Sequence, residues 1–246
     1  MDAAAHCLDL VRRHDRDRFL ASLFAPDDRR GALLALYAFD IEIARIAAAV
    51  SEPMLGDIRL QWWRETLDAL ARGEAVAHPV AEELGKAIQV HCLPLAPFLA
   101  LVDAHQCDLR EGSVPDVAAL ETYLGHTSSA IIQLASVILA GEAARTGAEA
   151  AGFAGVALGL ARIVQRQGEP VAMRVLPPGF SPENARALAL ERLSQARSRT
   201  AQVPRNALPA FLPVAVSDLY LGSPARSPSA LRRQFRIWWS ARRNRF

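Results

Sequence analysis

Apolar residues recur every three or four positions along most of the chain, the spacing that places side chains on one face of an α-helix. Alanine and leucine dominate, and β-branched residues occur in short runs that do not alternate with polar residues as they would in strands. The pattern therefore predicts an all-α fold. The expected helices cover residues 2–23, 26–50, 53–73, 80–91, 95–110, 117–140, 147–167, 182–202, 208–221 and 228–243.

Three glycines fall inside one of these helices, at Gly152, Gly155 and Gly159. Each should disfavour the helix by about 1 kcal/mol relative to alanine, because glycine loses more backbone freedom on folding. Either the close approach of another helix or the wall of a pocket is expected to compensate. Both explanations remain open at this point.

Composition favours one globular domain. The chain has 246 residues, of which 51% are hydrophobic and 22% charged, so it can bury a large core. A formal net charge of +2 gives no indication of a nucleic-acid partner.

Three cysteines without paired spacing favour reduced thiols, and the N-terminus has no secretory pattern. The apolar stretches 130–140 and 151–161 are about half as long as the roughly 20 residues that span a bilayer. We therefore expect a cytoplasmic protein without a transmembrane anchor.

Several segments resemble a known enzyme family. Segments 18–26 and 35–39 resemble the opening of squalene and phytoene synthases, and the spacing Asp103-x4-Asp108, Tyr123 and segment 155–160 keep the order of that family. The run 51–65, which contains Trp62 and Trp63, resembles a bacterial branch whose eukaryotic relative is a mitochondrial assembly factor for respiratory complex I. The resemblance covers about residues 5–200. It implies an isoprenoid-synthase-like helical bundle around a central cavity, which in the enzymes holds two prenyl diphosphates.

The same resemblance implies that the catalytic aspartates are missing. The enzymes use two aspartate clusters on facing helices to hold Mg²⁺ against the diphosphate leaving group. The window aligned with the first cluster is 44–48, which contains no carboxylate; Asp40 lies one turn earlier and is either a remaining ligand or a solvated helix carboxylate. Arg166 and Pro170 occupy the aligned positions of the second cluster. We therefore predict no catalytic residue, no metal site and no cofactor; Mg²⁺ would be required only by an active enzyme.

The aligned positions nevertheless predict the rim of a pocket. Arg162 and Arg166 are four residues apart and share a helix face, and Arg45 is expected on the opposite side. These arginines could bind the phosphate of a prenyl or lipid ligand, or they could be ordinary solvated or ion-paired residues. The candidate pocket residues are Asp40, Ala44, Arg45, Tyr123, Arg162 and Arg166.

The C-terminal segment is electrostatically distinct. Residues 231–246 contain six arginines and no acid, so we divide the chain into a helical domain over 1–222 and a basic, aromatic segment over 223–246. In a helix, Leu231, Phe235 and Trp238 would share one face, a pattern typical of helices that lie on an anionic membrane surface. The alternative is that this apolar face packs on the bundle. The candidate membrane contacts are Arg232, Arg233, Phe235, Arg236, Trp238 and Trp239.

Three functions are compatible with these features. The missing aspartates and the Trp62-Trp63 segment favour a non-catalytic binding or assembly protein, peripheral on the inner face of the cytoplasmic membrane, with subunits of respiratory complex I as candidate partners. The alternatives are an active head-to-head prenyl diphosphate transferase with a displaced metal site, and a scaffold whose cavity is filled by side chains.

Overall fold

Most of the expected helices are present, several of them divided into two or three pieces. The computed structural model describes residues 2–110, 112, 114–169, 173–222 and 228–246. It is 80% helical and has no strand in these residues, so the all-α prediction is confirmed. The α-helices are α1 (Ala3–His14), α2 (Arg16–Ser22), α3 (Asp27–Ala44), α4 (Ile46–Ala49), α5 (Pro53–Ala71), α6 (Pro79–His91), α7 (Ala96–Ala104), α8 (Val117–Leu124), α9 (Ala130–Ala140), α10 (Ala148–Gln165), α11 (Pro182–Ser198), α12 (Leu208–Phe211), α13 (Ser217–Gly222) and α14 (Ala230–Arg243).

The first predicted helix was wrong in one respect, because residues 2–23 form two helices that meet at Asp15. The backbone of Asp15 leaves the helical region at φ −137°, and its side chain accepts a hydrogen bond from the backbone N–H of Arg18 at 3.0 Å. Asp15 therefore caps α2. This turn directs the charged start of α2 towards the interior of the bundle.

The core is centred on α3, which packs against α1, α6 and α9. Phe39 of α3 is fully buried and meets the rings of Trp63 and Phe98 edge-on, with centroids 5.3 and 5.6 Å away. Trp62 is 40% exposed, whereas Trp63 is 4% exposed. The paired tryptophans thus divide between the surface and the core.

The second half of the bundle is organised by α10, which packs against α11 and α13 and against a π-helical turn, Gly125–Ser129, between α8 and α9. The continuous helical run Val117–Gln165 contains a window apolar enough to cross a membrane, but 72% of that window is buried inside the bundle. A helix in the core of a bundle can be equally long and apolar, so this window is only weak evidence for a membrane span. The predicted boundary between residues 222 and 223 is followed by residues 223–227, which lie outside the described residues, as does Pro170.

Candidate functional site

A cavity of about 530 Å³, lined by both charged and apolar side chains, opens between α2, α3, α8 and α10. Many of its side chains come from places where a regular α-helix ends or changes. These are the turn at Asp15, the end of α3 at Arg45, the 3₁₀ turn His105–Leu109 and the π-helical turn. All six residues predicted for a pocket rim line this cavity, namely Asp40, Ala44, Arg45, Tyr123, Arg162 and Arg166. The six residues, which the resemblance to the enzymes pointed to, therefore lie together around one cavity.

Two cavity carboxylates are neutralised by arginines from distant parts of the chain. Asp15 accepts a hydrogen bond from Nη2 of Arg162 at 2.8 Å, and Asp40 is paired with Arg18, whose side chain is 3% exposed. Burial opposes ionisation of Asp15, but the charges of Arg162 and Arg18 outweigh it and hold the pKa of Asp15 below its ordinary value. These residues form a largely enclosed network of charges, in which only the side chain of Arg18 is fully buried.

A third carboxylate, that of Asp17, accepts hydrogen bonds from two elements at the C-terminal end of the chain. The hydroxyl of Tyr220 donates to it, and Nη1 of Arg233 donates to Oδ1 at 3.2 Å. Burial, followed by the charge of Asp15, raises the pKa of Asp17 above its ordinary value. Arg233 was predicted to contact a membrane, but its guanidinium faces this acid in the cavity instead.

The fourth carboxylate, that of Asp108, is held by a histidine and a tyrosine. His105 Nδ1 lies 2.6 Å from Oδ2, and the hydroxyl of Tyr123 donates to Oδ1 at 2.8 Å. Burial alone would lower the pKa of His105, but the charge and hydrogen bond of Asp108 raise it. Burial and the charge of Asp108 raise the pKa of Tyr123 far above its ordinary value, so Tyr123 remains a hydrogen-bond donor.

The remaining predicted arginines are less enclosed. Arg166 forms an ion pair at 2.6 Å with Glu169, and both side chains are about half exposed. Nη1 of Arg45 lies 3.1 Å from Nε2 of His14, and burial, followed by the charges of Arg45 and Arg13, lowers the pKa of His14. A neutral imidazole can accept this hydrogen bond, so the positive charge of Arg45 is not cancelled there.

The cavity does not fit the Mg²⁺ ions that the enzyme resemblance implies. A magnesium site needs carboxylate oxygens that are free to face the ion, but each of the four cavity carboxylates is bonded to an arginine, histidine or tyrosine side chain. Ala44 and Ala48, at the aligned positions of the first cluster, offer no ligand atom. Within the described ranges, no group of three or more His, Cys, Asp and Glu side chains is placed to hold a metal ion.

Sequence reasoning missed much of this network. The pattern that could have revealed it is the run Asp15-Arg16-Asp17-Arg18, where charges of alternating sign interrupt the apolar periodicity. Asp17 and Arg18 are each 3% exposed, and charged residues are seldom buried unless they are paired. The missed residues are Asp15, Asp17, Arg18, His105 and Tyr220.

A second cavity, of about 470 Å³, lies beside the paired tryptophans on the other side of Arg45. It is lined by Trp62, Trp63 and His78, whose rings meet edge-on with centroids between 5.0 and 5.4 Å apart. Burial is the main cause that lowers the pKa of His78. Trp62 and Trp63 lie in the run 51–65 that resembles the complex I assembly branch, whereas His78 lies outside that run.

The predicted membrane residues divide between two sides of α14. Arg233 and Arg236 lie on the bundle side, where Arg236 is paired with Asp218 and donates from Nε to the carbonyl of Ala215 at 3.0 Å. Phe235, Trp238 and Trp239 are exposed on the other side, and so is Arg232. The bundle side is completed by Ile237 and Ser240, both buried.

Comparisons with known proteins agree with the fold. The chain is 34% identical over 134 residues to "NADH dehydrogenase (ubiquinone) complex I, assembly factor 6" of Bos taurus, which covers 54% of this chain and 40% of that relative. The squalene synthase HpnC from Alicyclobacillus acidocaldarius superposes with a TM-score of 0.68 at 21% identity, covering 94% of both chains. A dehydrosqualene synthase in complex with ligand superposes with a TM-score of 0.70 at 15% identity, covering 96% of this chain and 94% of that one.

The family itself is established by sequence. The pattern of the squalene/phytoene synthase family matches residues 11–176, which contain α2 to α10 and almost all of the cavity wall. The match covers more than half of the chain. The chain therefore belongs to the squalene/phytoene synthase family.

Proposed function

We propose that this protein is a non-catalytic member of its family that acts in the cytoplasm as an assembly factor for respiratory complex I. The observation that carries the proposal is the internal neutralisation of the cavity. Asp15, Asp17, Asp40 and Asp108 are engaged by side chains of the chain itself. The cavity thus offers an ion-pair network where the family's enzymes need a metal cluster.

The absence of prenyl transfer follows from the charge requirement of that reaction. Ionising an allylic diphosphate places negative charge on the leaving group, and metal ions supply several kcal/mol of stabilisation there. Ala44 and Ala48 cannot coordinate a cation, and Arg166 has a positive charge of its own. Pairing of the four aspartates removes the remaining candidates for ligands.

The assembly role is supported by the relatives. Proteins named complex I assembly factor 6 in Bos taurus and Homo sapiens are 34% and 33% identical to this chain over 134 residues. The chain spans about 40% of the length of these relatives. We therefore also propose that the protein binds subunits of complex I.

The decisive experiment is deletion of the gene in the native cell. We expect less assembled complex I on native gels and lower NADH:quinone oxidoreductase activity in membranes, both restored by the wild-type gene. The variant Arg166→Ala should restore them equally well, because it breaks only an exposed ion pair. Normal levels of complex I in the deletion strain would contradict the assembly role.

Catalysis is tested separately with purified protein. We expect no magnesium-dependent release of pyrophosphate from farnesyl or geranylgeranyl diphosphate, in contrast to an active family enzyme assayed in parallel. Turnover at about 1 s⁻¹ or faster, as typical of enzymes, would instead establish the alternative function, a head-to-head prenyl diphosphate transferase.

A second candidate function for the same cavity is retention of a phosphate-bearing prenyl or lipid ligand without turnover. Arg16 and Arg45 line the cavity, and neither has an acidic partner among the described residues. Guanidinium groups bind phosphate oxygens in paired hydrogen bonds. Calorimetry with farnesyl diphosphate in EDTA should show binding that Arg45→Met weakens at least tenfold. The exposed Arg13→Met is the control, and absence of binding by the wild-type protein would exclude this candidate.

A further inference from the structure

We propose that the outward surface of α14 docks on a membrane of anionic lipids. We define the α14 surface as Leu231, Arg232, Phe235, Trp238, Trp239, Arg242 and Arg243. This inference does not depend on the proposed assembly function, because it rests on the exposure, the chemistry and the charge of this one surface.

The apolar side chains of the α14 surface are not covered by the bundle. Leu231 is 77% exposed, Phe235 61%, Trp238 42% and Trp239 38%. With about 100° of rotation per residue, Leu231, Phe235 and Trp238 lie on the side of the helix opposite Ile237 and Ser240, which are buried against the bundle. The alternative in which this aromatic face packs on the bundle is therefore wrong.

The aromatic rings form one cluster with arginines at its end. Phe235 contacts both tryptophans, with ring centroids 5.9 and 6.0 Å away. The guanidinium of Arg242 lies 5.4 Å from the centroid of Trp238, and that of Arg243 lies 4.2 Å from the centroid of Trp239. Apolar rings and cations therefore lie side by side on the outward surface of α14.

The charge on this surface has no compensation within the segment. Residues 228–246 contain no aspartate or glutamate. The nearby acids Asp17 and Asp218 are engaged on the bundle side by Arg233 and Arg236. The arginines that remain exposed are Arg232, Arg242, Arg243 and Arg245.

Anionic lipid is the occupant that matches both features. Tryptophan and phenylalanine on one face of a basic helix favour the boundary between headgroups and acyl chains, and cations beside them are attracted to anionic headgroups. That attraction acts within about 10 Å at 0.1 M salt and is weakened by more salt. A protein partner would instead have to supply an acidic, apolar groove, and it is treated below as an outcome that overturns the proposal.

The test is co-sedimentation of the full chain with vesicles of phosphatidylglycerol and phosphatidylcholine in equal parts, compared with phosphatidylcholine alone. We expect binding to the anionic vesicles, at least tenfold weaker binding to the neutral ones, and release by high salt. Trp238→Ser/Trp239→Ser and Arg242→Glu/Arg243→Glu should each lower the partition coefficient at least tenfold. Circular dichroism and thermal unfolding should show that both variants remain folded, because all four residues are exposed.

The chain offers a matched control for charge. Arg12 and Arg13 occupy the last turn of α1 as Arg242 and Arg243 occupy the last turn of α14, and their side chains are 58% and 69% exposed. Arg12→Glu/Arg13→Glu changes the net charge equally and should alter binding less than twofold. Equal losses in both charge variants, equal binding to neutral vesicles, or no binding to vesicles would each overturn the proposal. If the α14 variants reduce complex I without any vesicle binding by the wild-type protein, the α14 surface contacts a protein.

Discussion

Arg162 and Arg166 lie one turn apart at the end of α10, but their surroundings differ. Arg162 is paired across the cavity with Asp15, which is 10% exposed, whereas Arg166 is paired with the solvated Glu169. Removing one partner of a buried ion pair leaves an uncompensated charge, while a surface pair contributes little. The two neighbouring arginines therefore have different effects on stability.

Arg162→Met should lower the free energy of unfolding by about 3 kcal/mol, because Asp15 would stay buried without its main counter-charge. Arg166→Met, the matched control, should change it by at most about 1 kcal/mol. Urea unfolding of the two variants measures the difference. If both variants lowered the free energy of unfolding by the same amount, the buried charge of Asp15 would not need Arg162 as its counter-charge.

The pair of His105 and Asp108 predicts a dependence of stability on pH. The folded-state pKa of His105 is raised, so folding favours its protonated form. The resulting stabilisation is complete below the unfolded value of about 6.5 and is lost as the pH rises through the folded value. His105→Gln, which cannot titrate, should abolish this alkaline loss in urea titrations repeated across the pH range.

His91 provides a control of opposite sign. Burial, followed by the charge of Arg29, lowers its pKa, so its contribution to stability is present above about 6.5 and is lost as the pH falls. His91→Gln should change only the acidic side of the profile. An unchanged alkaline side in His105→Gln would show that the ion pair with Asp108 does not form in solution.

At the scale of elements, the contact between α10 and the π-helical turn shapes the cavity wall. Gly155 has no side chain where the backbone of Ser129 approaches, and Oγ of Ser129 donates to the carbonyl of Gly152 at 2.8 Å. Gly159, one turn later, lines the cavity. Close packing thus explains Gly155, and Gly159 both lines the cavity and packs closely on Leu124 and Ser128. Neither explanation applies to Gly152, whose added Cβ would meet no atom within 4 Å.

Gly155→Ala should lower the free energy of unfolding by about 1–3 kcal/mol, because the new Cβ would overlap the N and Cα atoms of Ser129, which cannot move aside as a side-chain tip could. Gly152→Ala is the matched control on the same helix. Nothing lies within 4 Å of its added Cβ, so it should stabilise the protein by up to about 1 kcal/mol. Thermal unfolding distinguishes the variants, and stabilisation by both would refute the close contact.

The helices could be predicted from sequence better than their interruptions. Apolar periodicity placed α5, α6, α10 and α14 within about two residues at each end, because it reports which face is buried. It missed the turn at Asp15 and the π-helical turn at Gly125–Ser129, since both depend on hydrogen bonds and on contacts with distant elements. The pocket rim was predicted from family resemblance, whereas most partners of the aspartates were missed because they lie far apart in sequence. His105 lies only three residues from Asp108 and was missed because apolar periodicity does not report hydrogen bonds between side chains.

At the scale of the whole molecule, α14 closes the bundle. Its bundle side supplies Arg233 to Asp17 in the cavity and Arg236 to Asp218 on α13. The terminal residue, Phe246, is 5% exposed, and its ring lies 4.9 Å from that of Phe211. The segment that carries the proposed membrane surface is thereby fixed to the cavity by ion pairs and apolar packing.

Deleting residues 230–246 should therefore destabilise the entire protein rather than remove an independent tail. Loss of a buried phenylalanine alone costs about 3–5 kcal/mol, and Asp17, whose carboxylate is 4% exposed, would lose its guanidinium partner. We expect the truncated chain to unfold in urea in a single transition, with a free energy of unfolding lower by at least about 4 kcal/mol. Arg242→Glu/Arg243→Glu, which alters only the outward side, should keep nearly wild-type stability. If the truncated chain were as stable as the full chain, the contacts of α14 with the bundle would contribute nothing to the fold, and the helix would be free to move on its own.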